Sequence, residues 1–450
     1  MKKYDIIVVG GSAAGIPAAT TARKYYPEKT ILLVRDVENV PIPCGIPYIY
    51  GTVMDPMKNL IPIEKIGAGN NIDLEVSKVE SINRDEKLII TRKGDSFGYD
   101  RLILAIGSKP IVPPIPGIRL KNVFPIKKNT TYLQSIQDQL NISKNVIVVG
   151  GGFIGAEMAE ECKKHNSELN VTIVEMQDHL LKLVYDEEFC ILAEQALLDQ
   201  GINLLLNEQV QEFKGTDHVT HVSLASGKTL EADMVILGIG AIPNTKLAVS
   251  AGLELGATKG IKVNRYMQTT DKSIFACGDC VDKFSFFDGS PSSLRLASIA
   301  TMEARIAGIN LFKIRRANPG VVGCFSTALG KKAFAAAGLT ENAASAKCCD
   351  VVTGSAESIN RHPGLMPGAE NLKVKLIFEK ATQRIIGGEL YGAYSAGELI
   401  NAISAFISKG MTAEEIVMFQ AGTHPALTAS PIAYQLVNAA EQALVKLDRE

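Results

Sequence analysis

Short, unbroken apolar runs alternate with glycine turns and helical stretches from the first residues onward. Ile6, Ile7, Val8 and Val9 form one such run, followed by the turn Gly10, Gly11, Ser12, Ala13, Ala14, Gly15. A small-residue helix over about 16–25 and a second apolar run at 31–34 come next. Runs this short and uniformly apolar predict strands buried on both faces, and strand–turn–helix–strand is the unit of a parallel sheet. The unit recurs at 145–175: a run at 145–149, the turn Gly150, Gly151, Gly152, Phe153, Ile154, Gly155, a helix to about 164, and a strand at 171–175. The wide spacing of the two turns fits two related domains rather than a short-period solenoid. Two further runs, at 102–106 and 235–239, end in small-residue turns with a proline: Gly107, Ser108, Lys109, Pro110 and Gly240, Ala241, Ile242, Pro243. They are predicted to be the crossings between those domains, with the proline-rich stretch 110–116 as the linker. Beyond about 320 the texture changes. Alternation at 372–378, followed after a turn by 384–390, predicts an antiparallel hairpin with one face in water, and helices follow at about 396–409 and 431–445.

Length and composition sharpen this outline. At roughly 100–200 residues per domain, 450 residues imply about three domains. Hydrophobic residues at 46% and charged residues at 21% describe a globular chain rather than a disordered or fibrous one. Lys and Arg number 47 against 48 Asp and Glu, a formal charge of −1, so no phosphate-neutralising face and no nucleic-acid partner are expected. Eight cysteines spread over 450 residues do not make a disulfide framework. The apolar run after Lys2 and Lys3 is too short for a signal peptide, and no stretch reaches the roughly 20 residues that span a bilayer. A cytoplasmic location with reduced thiols is therefore expected, where a cysteine that matters is catalytic rather than structural.

The second glycine turn carries a complete G-x-G-x-x-G at Gly150, Gly152 and Gly155. The first glycine makes the turn, the second lets a pyrophosphate approach the backbone, and the third lets the helix pack on the strand. Glu175 stands at the end of the following strand, where an acid accepts hydrogen bonds from a ribose 2′-hydroxyl and repels a 2′-phosphate. That predicts NADH, with NADPH left possible; the competing reading is a plain strand–helix turn beside a surface glutamate. In the first turn Gly10 and Gly15 match, Ser12 replaces the middle glycine, and Arg35 followed by Asp36 stands where the acid is expected. The segment Cys277, Gly278, Asp279 reads as a strand ending in Gly-Asp, which presents a carboxylate to a ribityl or ribose hydroxyl. Cys44 lies between Pro43 and Gly45; a helix opening at Gly45 would lower its thiol pKa, whereas the bland reading is a buried small hydrophobe. No metal site is predicted: Cys277 and Cys280 read as packing thiols or thiols beside the Gly-Asp carboxylate, and vicinal Cys348 and Cys349 lack a second ligand pair. His218 and His221 read as solvent-facing, and Arg23 and Lys24 as solvated cations or binders of an anionic substrate.

Taken in order, the turn at 10–15, the Cys44 segment, the Gly107 and Gly240 crossings, the Gly150 motif and Cys277-Gly278-Asp279 resemble the FAD-dependent pyridine nucleotide–disulfide oxidoreductases over essentially the whole chain. The resemblance implies an α/β fold with two Rossmann-like dinucleotide-binding domains and a C-terminal α+β dimerisation domain. The segments would be 1–118 and 249–322 for FAD, 119–248 for NAD(P)H and 323–450 for dimerisation, hence a homodimer. It implies FAD contacts at Gly10, Ser12, Ala13, Ala14, Gly15, Arg35, Asp36, Val79, Ala105, Gly107, Ser108 and Asp279. NADH contacts are implied at Gly150, Gly152, Phe153, Ile154, Gly155, Glu175 and Gly240, with Phe153 the aromatic that covers the flavin until NADH displaces it.

The two-cysteine branch of that family uses C-x4-C, but positions 39 and 49 hold Asn39 and Ile49. The chain therefore resembles the single-cysteine branch: coenzyme A-disulfide reductases, NADH oxidases and peroxidases, and polysulfide or persulfide reductases. The peroxidases of that branch carry a histidine where this chain has Ala13. The coenzyme A enzymes place an asparagine before the cysteine, where this chain has Pro43, and a tyrosine-bearing C-terminal segment, where it has Gly422, Thr423, His424, Pro425. His424 is similar to the His-Pro histidine that acts across the dimer in two-cysteine enzymes. Ala429 replaces the acid that follows there, so His424 is read as either catalytic or an interface residue. The implied activity is reduction of a small-molecule disulfide, persulfide or polysulfide through Cys44. An NADH oxidase acting on O2 and a slow redox-sensing flavoprotein are the alternatives.

Overall fold

A computed structural model describes residues 1–449, and the chain divides into two compact units. Unit 1 gathers residues 1–114, 124–142 and 239–321; unit 2 gathers 115–123, 143–238 and the chain from 322 onward.

In unit 1 the parallel strands Asp73–Val76, Ile31–Arg35, Lys2–Val9 and Ser96–Leu104 lie side by side in that order, and Ile274–Ala276 pairs with the far edge of Ser96–Leu104. The start of Ser96–Leu104 also pairs with Leu88–Thr91, which pairs in turn with Val79–Asn83, an antiparallel ribbon grown from the same strand. Ile6, Ile7, Val8, Leu102, Ile103 and Leu104 are fully buried, as a sheet covered on both faces requires. Helix Gly15–Tyr25 buries Ala18, Ala19 and Ala22, and these small side chains admit the helix Ala297–Asn310 closely: a Cβ on Gly308 would come within 2.6 Å of the Ala18 carbonyl oxygen. The two crossings meet, Ser108–Pro110 pairing antiparallel with Ala241–Pro243. Asn244 fastens them, its N–H donating to Gly107 O and its side-chain amide to Ile106 O, both at 2.9 Å. Helix Thr130–Leu140 falls in this unit rather than with the second glycine turn, as the 119–248 segment would have it. Gln137 on that helix donates to Met54 O at 3.1 Å, a long-range tie that local pattern does not announce.

Unit 2 holds the second parallel sheet, with Asn203–Leu205, Asn170–Val174, Asn145–Val149 and Met234–Leu237 adjacent in that order. A meander of Val210–Lys214, His221–Leu224 and Thr229–Glu231 shares its core through Phe213, Val222 and Val235. A five-stranded antiparallel sheet follows, in the order Cys324–Leu329, Lys332–Gly338, Ile385–Gly392, Asn371–Glu379, Val351–Ile359, with helices Ala396–Lys409 and Gln435–Leu447. Its central hairpin does not keep one face in water. Asn371–Glu379 and Ile385–Gly392 are buried along nearly their whole length. Lys375, read from alternation as solvent-facing, is inside: its Nζ reaches Asp186 at 3.0 Å and Glu341 at 2.9 Å. Burial opposes the charge on Lys375, but these hydrogen bonds outweigh it and its pKa is raised. The alternation was real; a carboxylate cluster took the place of water.

Helix Phe153–His165 lies against strand Cys324–Leu329. Phe153 stacks on Phe325 at 5.5 Å, Thr327 donates to Glu157 at 2.8 Å, and Gly330 N–H donates to Glu160 at 2.9 Å. Burial, then the neighbouring Glu160 and Glu161 carboxylates, push the Glu157 carboxyl up to about 7 against the Thr327 hydrogen bond.

Two outcomes follow from these packings. A Cβ on Gly155 would collide with the Gly150 carbonyl, whereas nothing lies within 4 Å of one on Gly152. Gly155→Ala should destabilise by about 3 kcal/mol or more, and Gly152→Ala by no more than about 1 kcal/mol; equal shifts in thermal unfolding would contradict the collision. For Glu157, the folded pKa of about 7 lies above the ordinary 4.5, so its stabilisation is full below about pH 4.5 and lost as pH rises through 7. Glu157→Gln keeps the acceptor for Thr327 without the charge. Its Tm relative to wild type should therefore climb between pH 5 and pH 8, by an amount equivalent to roughly 2–3 kcal/mol; a flat difference would show that Glu157 is ionised throughout.

Candidate active site

The first glycine turn sits where strand Lys2–Val9 gives way to helix Gly15–Tyr25. Gly10 adopts φ +119°, and its Cα lies so close to the strand end that a Cβ would strike the Ala105 carbonyl; a Cβ on Gly15 would strike that of Gly10. Ser12 and Ala13 are half-buried at the turn, Ala14 is buried, and Thr301 of helix Ala297–Asn310 donates to Ala13 O at 3.2 Å. Gly107 takes φ +65° with nothing within 4 Å of its Cβ position, leaving open space beside the turn.

Arg35 ends the neighbouring strand with its side chain 3% exposed. One nitrogen pairs with Glu64, while Nε and Nη1 are buried without a partner. Buried donors in that state call for an acceptor, and the ribose and pyrophosphate oxygens of a dinucleotide supply one. Asp36 is exposed, and Val79 is buried just past Ser77, whose N–H donates to Arg35 O at 2.8 Å. The open Gly107 position, the close-packed turn and the orphaned Arg35 donors fit the FAD that the sequence implies.

Asp279 follows strand Ile274–Ala276, where Gly278 takes φ +82° with its Cα against Ala14. Its carboxylate accepts from Ser108 Oγ at 2.8 Å and lies 3.7 Å from Lys128 Nζ. Asp279 and Ser108 thus meet, with Gly278 packed against Ala14 of the first glycine turn. Lys128 was missed: a lone lysine before a helix cap carries no sequence signal. Cys277 and Cys280 are fully buried beside this turn; burial pushes the Cys277 thiol well up and the Cys280 thiol to about 11, so neither is a nucleophile at neutral pH.

Cys44 is exposed, in a tight 3₁₀ turn at Pro43–Gly45. The helix expected to open at Gly45 does not form. The turn closes on itself through Gly45 N–H to Ile42 O and Ile46 N–H to Pro43 O, and a π-helical turn at Ile49–Val53 follows and ends at left-handed Met54, so no long helix lends its dipole to the thiol. The turn is held by Asn59, 6% exposed and also not foreseen. Its Nδ2 donates to Ile42 O at 3.0 Å, Ile42 N–H donates to its backbone carbonyl at 2.9 Å, and its Oδ1 lies against Gly45 so closely that no other residue fits there.

In unit 2 the second turn repeats the first. Gly150 takes φ +102° and Gly152 faces open space at the N-terminus of helix Phe153–His165. The Glu175 carboxylate accepts from Gly151 N–H at 2.5 Å and from Gln177 N–H at 2.7 Å, so the acid is fixed at the turn with lone pairs remaining for a ribose. Phe153 and Ile154 are half-buried, Phe153 within an aromatic cluster with Tyr185 and Phe325. In unit 1, Gly240 takes φ +94° and its carbonyl accepts from Ile111 N–H at 3.0 Å. His424 is exposed; its Nδ1 accepts from Ala426 N–H at 3.2 Å, so the neutral ring carries its proton outward on Nε2. Arg23 is no anion site, since four backbone carbonyls (Pro27, Lys29, Asn70, Asn71) consume its guanidinium. His218 and His221 are exposed. Among the described residues no helix is long and apolar enough to cross a membrane.

Comparison with known proteins agrees with this geometry. The family model described as pyridine nucleotide-disulphide oxidoreductase matches residues 4–304, and the dimerisation domain of that family matches 326–432. An NADH oxidase of Enterococcus faecalis is 31% identical over 424 residues, covering 92% of this chain and 94% of that protein. An NAD(P)H coenzyme A polysulfide/persulfide reductase of Pyrococcus horikoshii is 29% identical over 420 residues, covering 92% and 93%. Among solved structures, an NAD-dependent persulfide reductase from A. fulgidus matches with a TM-score of 0.89 at 29% identity, covering 99% of this chain and 84% of that one. Two glycine turns of one design, an exposed cysteine and a C-terminal dimerisation fold, matched along nearly their whole length, make this chain a member of the pyridine nucleotide–disulphide oxidoreductase family.

Proposed function

We propose that the protein is an NADH-dependent FAD enzyme that reduces a low-molecular-weight disulfide, persulfide or polysulfide through Cys44. The observation that carries this reading is an exposed cysteine at the family's redox position with Asn39 and Ile49 where a partner cysteine would stand. A second sulfur must then arrive with the substrate. The names of the relatives support sulfur acceptors, and the NADH oxidase among them supports oxygen as the second reading. In this reading residues 1–118 and 249–322 form the FAD domain, 119–248 the NADH domain, and 323–450 the interface of a homodimer. The setting is cytoplasmic, where a thiol nucleophile stays reduced between turnovers.

Gly10, Ser12, Ala13, Ala14, Gly15, Gly107, Ser108 and Arg35 would hold the flavin nucleotide, and Asp279, with Lys128 balancing its charge, would offer it a hydrogen-bond acceptor. Gly150, Gly152 and Gly155 admit the NADH pyrophosphate, and Glu175 receives its ribose hydroxyl. Cys44 attacks one sulfur of R–S–S–R′ as thiolate, forms a mixed disulfide and expels R′S⁻, which takes a proton. Bound FAD would supply two-electron transfer from NADH, and reduction of the mixed disulfide would release RSH and restore the Cys44 thiolate. For a persulfide the expelled group is HS⁻. Asn59 keeps the turn rigid, so that the thiol meets each incoming sulfur in one geometry. His424 serves either as an acid–base residue for the leaving thiolate, in its imidazolium form, or as an interface residue of the dimer.

Cys44→Ser should lower disulfide- or persulfide-dependent NADH oxidation by roughly a thousandfold or more, measured anaerobically by stopped flow with coenzyme A disulfide, a persulfide and polysulfide. Full sulfur reduction by that variant would end the proposal; loss of sulfur reduction together with undiminished O2 consumption would leave both activities in one protein. Glu175→Ala should shift the NADH over NADPH preference in kcat/KM toward NADPH by about tenfold, because a repelled 2′-phosphate is then admitted. An unchanged ratio would mean that the carboxylate serves only Gly151 and Gln177.

A further inference from the structure

Beneath the Gly278–Asp279 turn lies an ion pair that the chemistry above does not use. Lys283 and Glu303 meet at 2.7 Å with side chains 2% and 1% exposed. A buried pair of this kind adds little stability, because desolvation offsets the attraction and an apolar pair of equal volume does as well. Burial raises the Glu303 carboxyl pKa in spite of Lys283, and Glu303 Oε1 has no partner at all. Stability alone does not account for the pair.

What the pair holds is one glycine. Gly278 N–H donates to Glu303 Oε2 at 2.9 Å, and Lys283 Nζ donates to Gly278 O at 2.9 Å. The peptide before Gly278 and the peptide between Gly278 and Asp279 are therefore both fixed. Gly278 sits at φ +82°, where a glycine is free to rotate, and its Cα packs against Ala14 of the first glycine turn. Rotation there would swing the Asp279 carboxylate away from Ser108 and Lys128.

We infer that Lys283 and Glu303 are positioning residues that lock the Gly278 backbone and so aim Asp279 at the bound flavin nucleotide. The inference rests on the reading of Asp279 as a flavin ligand. The pair touches no substrate or cofactor; it acts through the two peptide groups. A carboxylate held in place before the cofactor arrives binds without a further ordering cost, which is what preorganisation contributes to affinity.

A double-mutant cycle on FAD affinity tests both layers. Holoenzyme of wild type, Glu303→Met, Asp279→Asn and the double variant is diluted, and released FAD is read by the rise in flavin fluorescence, with apoprotein Tm recorded alongside. Glu303→Met, which removes the acceptor of the Gly278 N–H, should raise the FAD dissociation constant about tenfold or more, as should Asp279→Asn, and the double variant should bind no more weakly than Asp279→Asn alone. Multiplicative losses in the double variant would overturn the positioning role while leaving Asp279 as a ligand. An unchanged FAD affinity in Asp279→Asn would overturn the reading beneath it. Lys283→Met, which removes the donor to Gly278 O together with the partner of Glu303, carries the same cycle if Glu303→Met fails to fold.

Discussion

Both units depend on the same close approach: a glycine at the start of a helix lying directly on the carbonyl of the glycine that ends the preceding strand. Gly15 sits on Gly10 O and Gly155 on Gly150 O, in each case leaving no room for a Cβ. That contact pulls the helix N-terminus down onto the sheet edge, so that its unpaired N–H groups point outward beside the strand ends rather than into the layer above. Everything else in the site is measured from there. In unit 1 the open Gly107 position, Ala13 under Thr301 and the Gly278 turn against Ala14 all take their places relative to the first turn. In unit 2 Glu175 is bonded to the turn itself through Gly151.

This constraint explains which parts of the molecule were legible in the sequence. Strand, glycine turn, helix and strand are contiguous, so the pattern at 6–34 and at 145–175 contains its own structural reason, and the elements appear at Lys2–Val9, Gly15–Tyr25, Ile31–Arg35, Asn145–Val149, Phe153–His165 and Asn170–Val174. The residues that escaped notice are those whose partners lie far along the chain. Lys128 meets Asp279, Asn59 closes on Ile42 and Gly45, Lys283 finds Glu303, and Lys375 finds Asp186 and Glu341. None has a local pattern, because a single charged or amide side chain looks the same in sequence whether water or a carboxylate receives it. The helix expected after Cys44 failed for a different reason: the chain closes short turns at Pro43–Gly45 and Ile49–Val53 and turns left-handed at Met54 before a longer helix can form.

Burial sorts the eight cysteines more sharply than their spacing does. Cys162, Cys190, Cys277 and Cys280 are fully enclosed, and loss of solvent raises each thiol well above its ordinary range, so they remain protonated and inert at neutral pH. The Cys277-x-x-Cys280 spacing, which in another setting would suggest redox or metal chemistry, here lines the underside of the Gly278 turn. Cys44 is exposed by contrast, on a turn whose rigidity comes from an amide rather than from a helix.

The two glycine turns differ most at one position, and the difference bears on how a single chain tells two dinucleotides apart. Gly10 N–H donates to Val34 O at 2.8 Å and Gly150 N–H donates to Val174 O at 2.9 Å, so the residues that follow, Arg35 and Glu175, occupy equivalent stations at the ends of equivalent strands. One is a buried cation with two unsatisfied donors; the other is a carboxylate fixed by two backbone N–H groups. FAD and NADH share an adenosine diphosphate half, so the turns alone do not distinguish them. In the proposed reading, where Arg35 and Glu175 face the two riboses, their opposite charges supply a distinction, since a donor-rich cation and an acceptor-only anion ask for different hydrogen-bond partners and different local charge. Fixing each group before any nucleotide arrives, by Glu64 and burial in one case and by Gly151 and Gln177 in the other, turns that difference in charge into a difference in geometry as well.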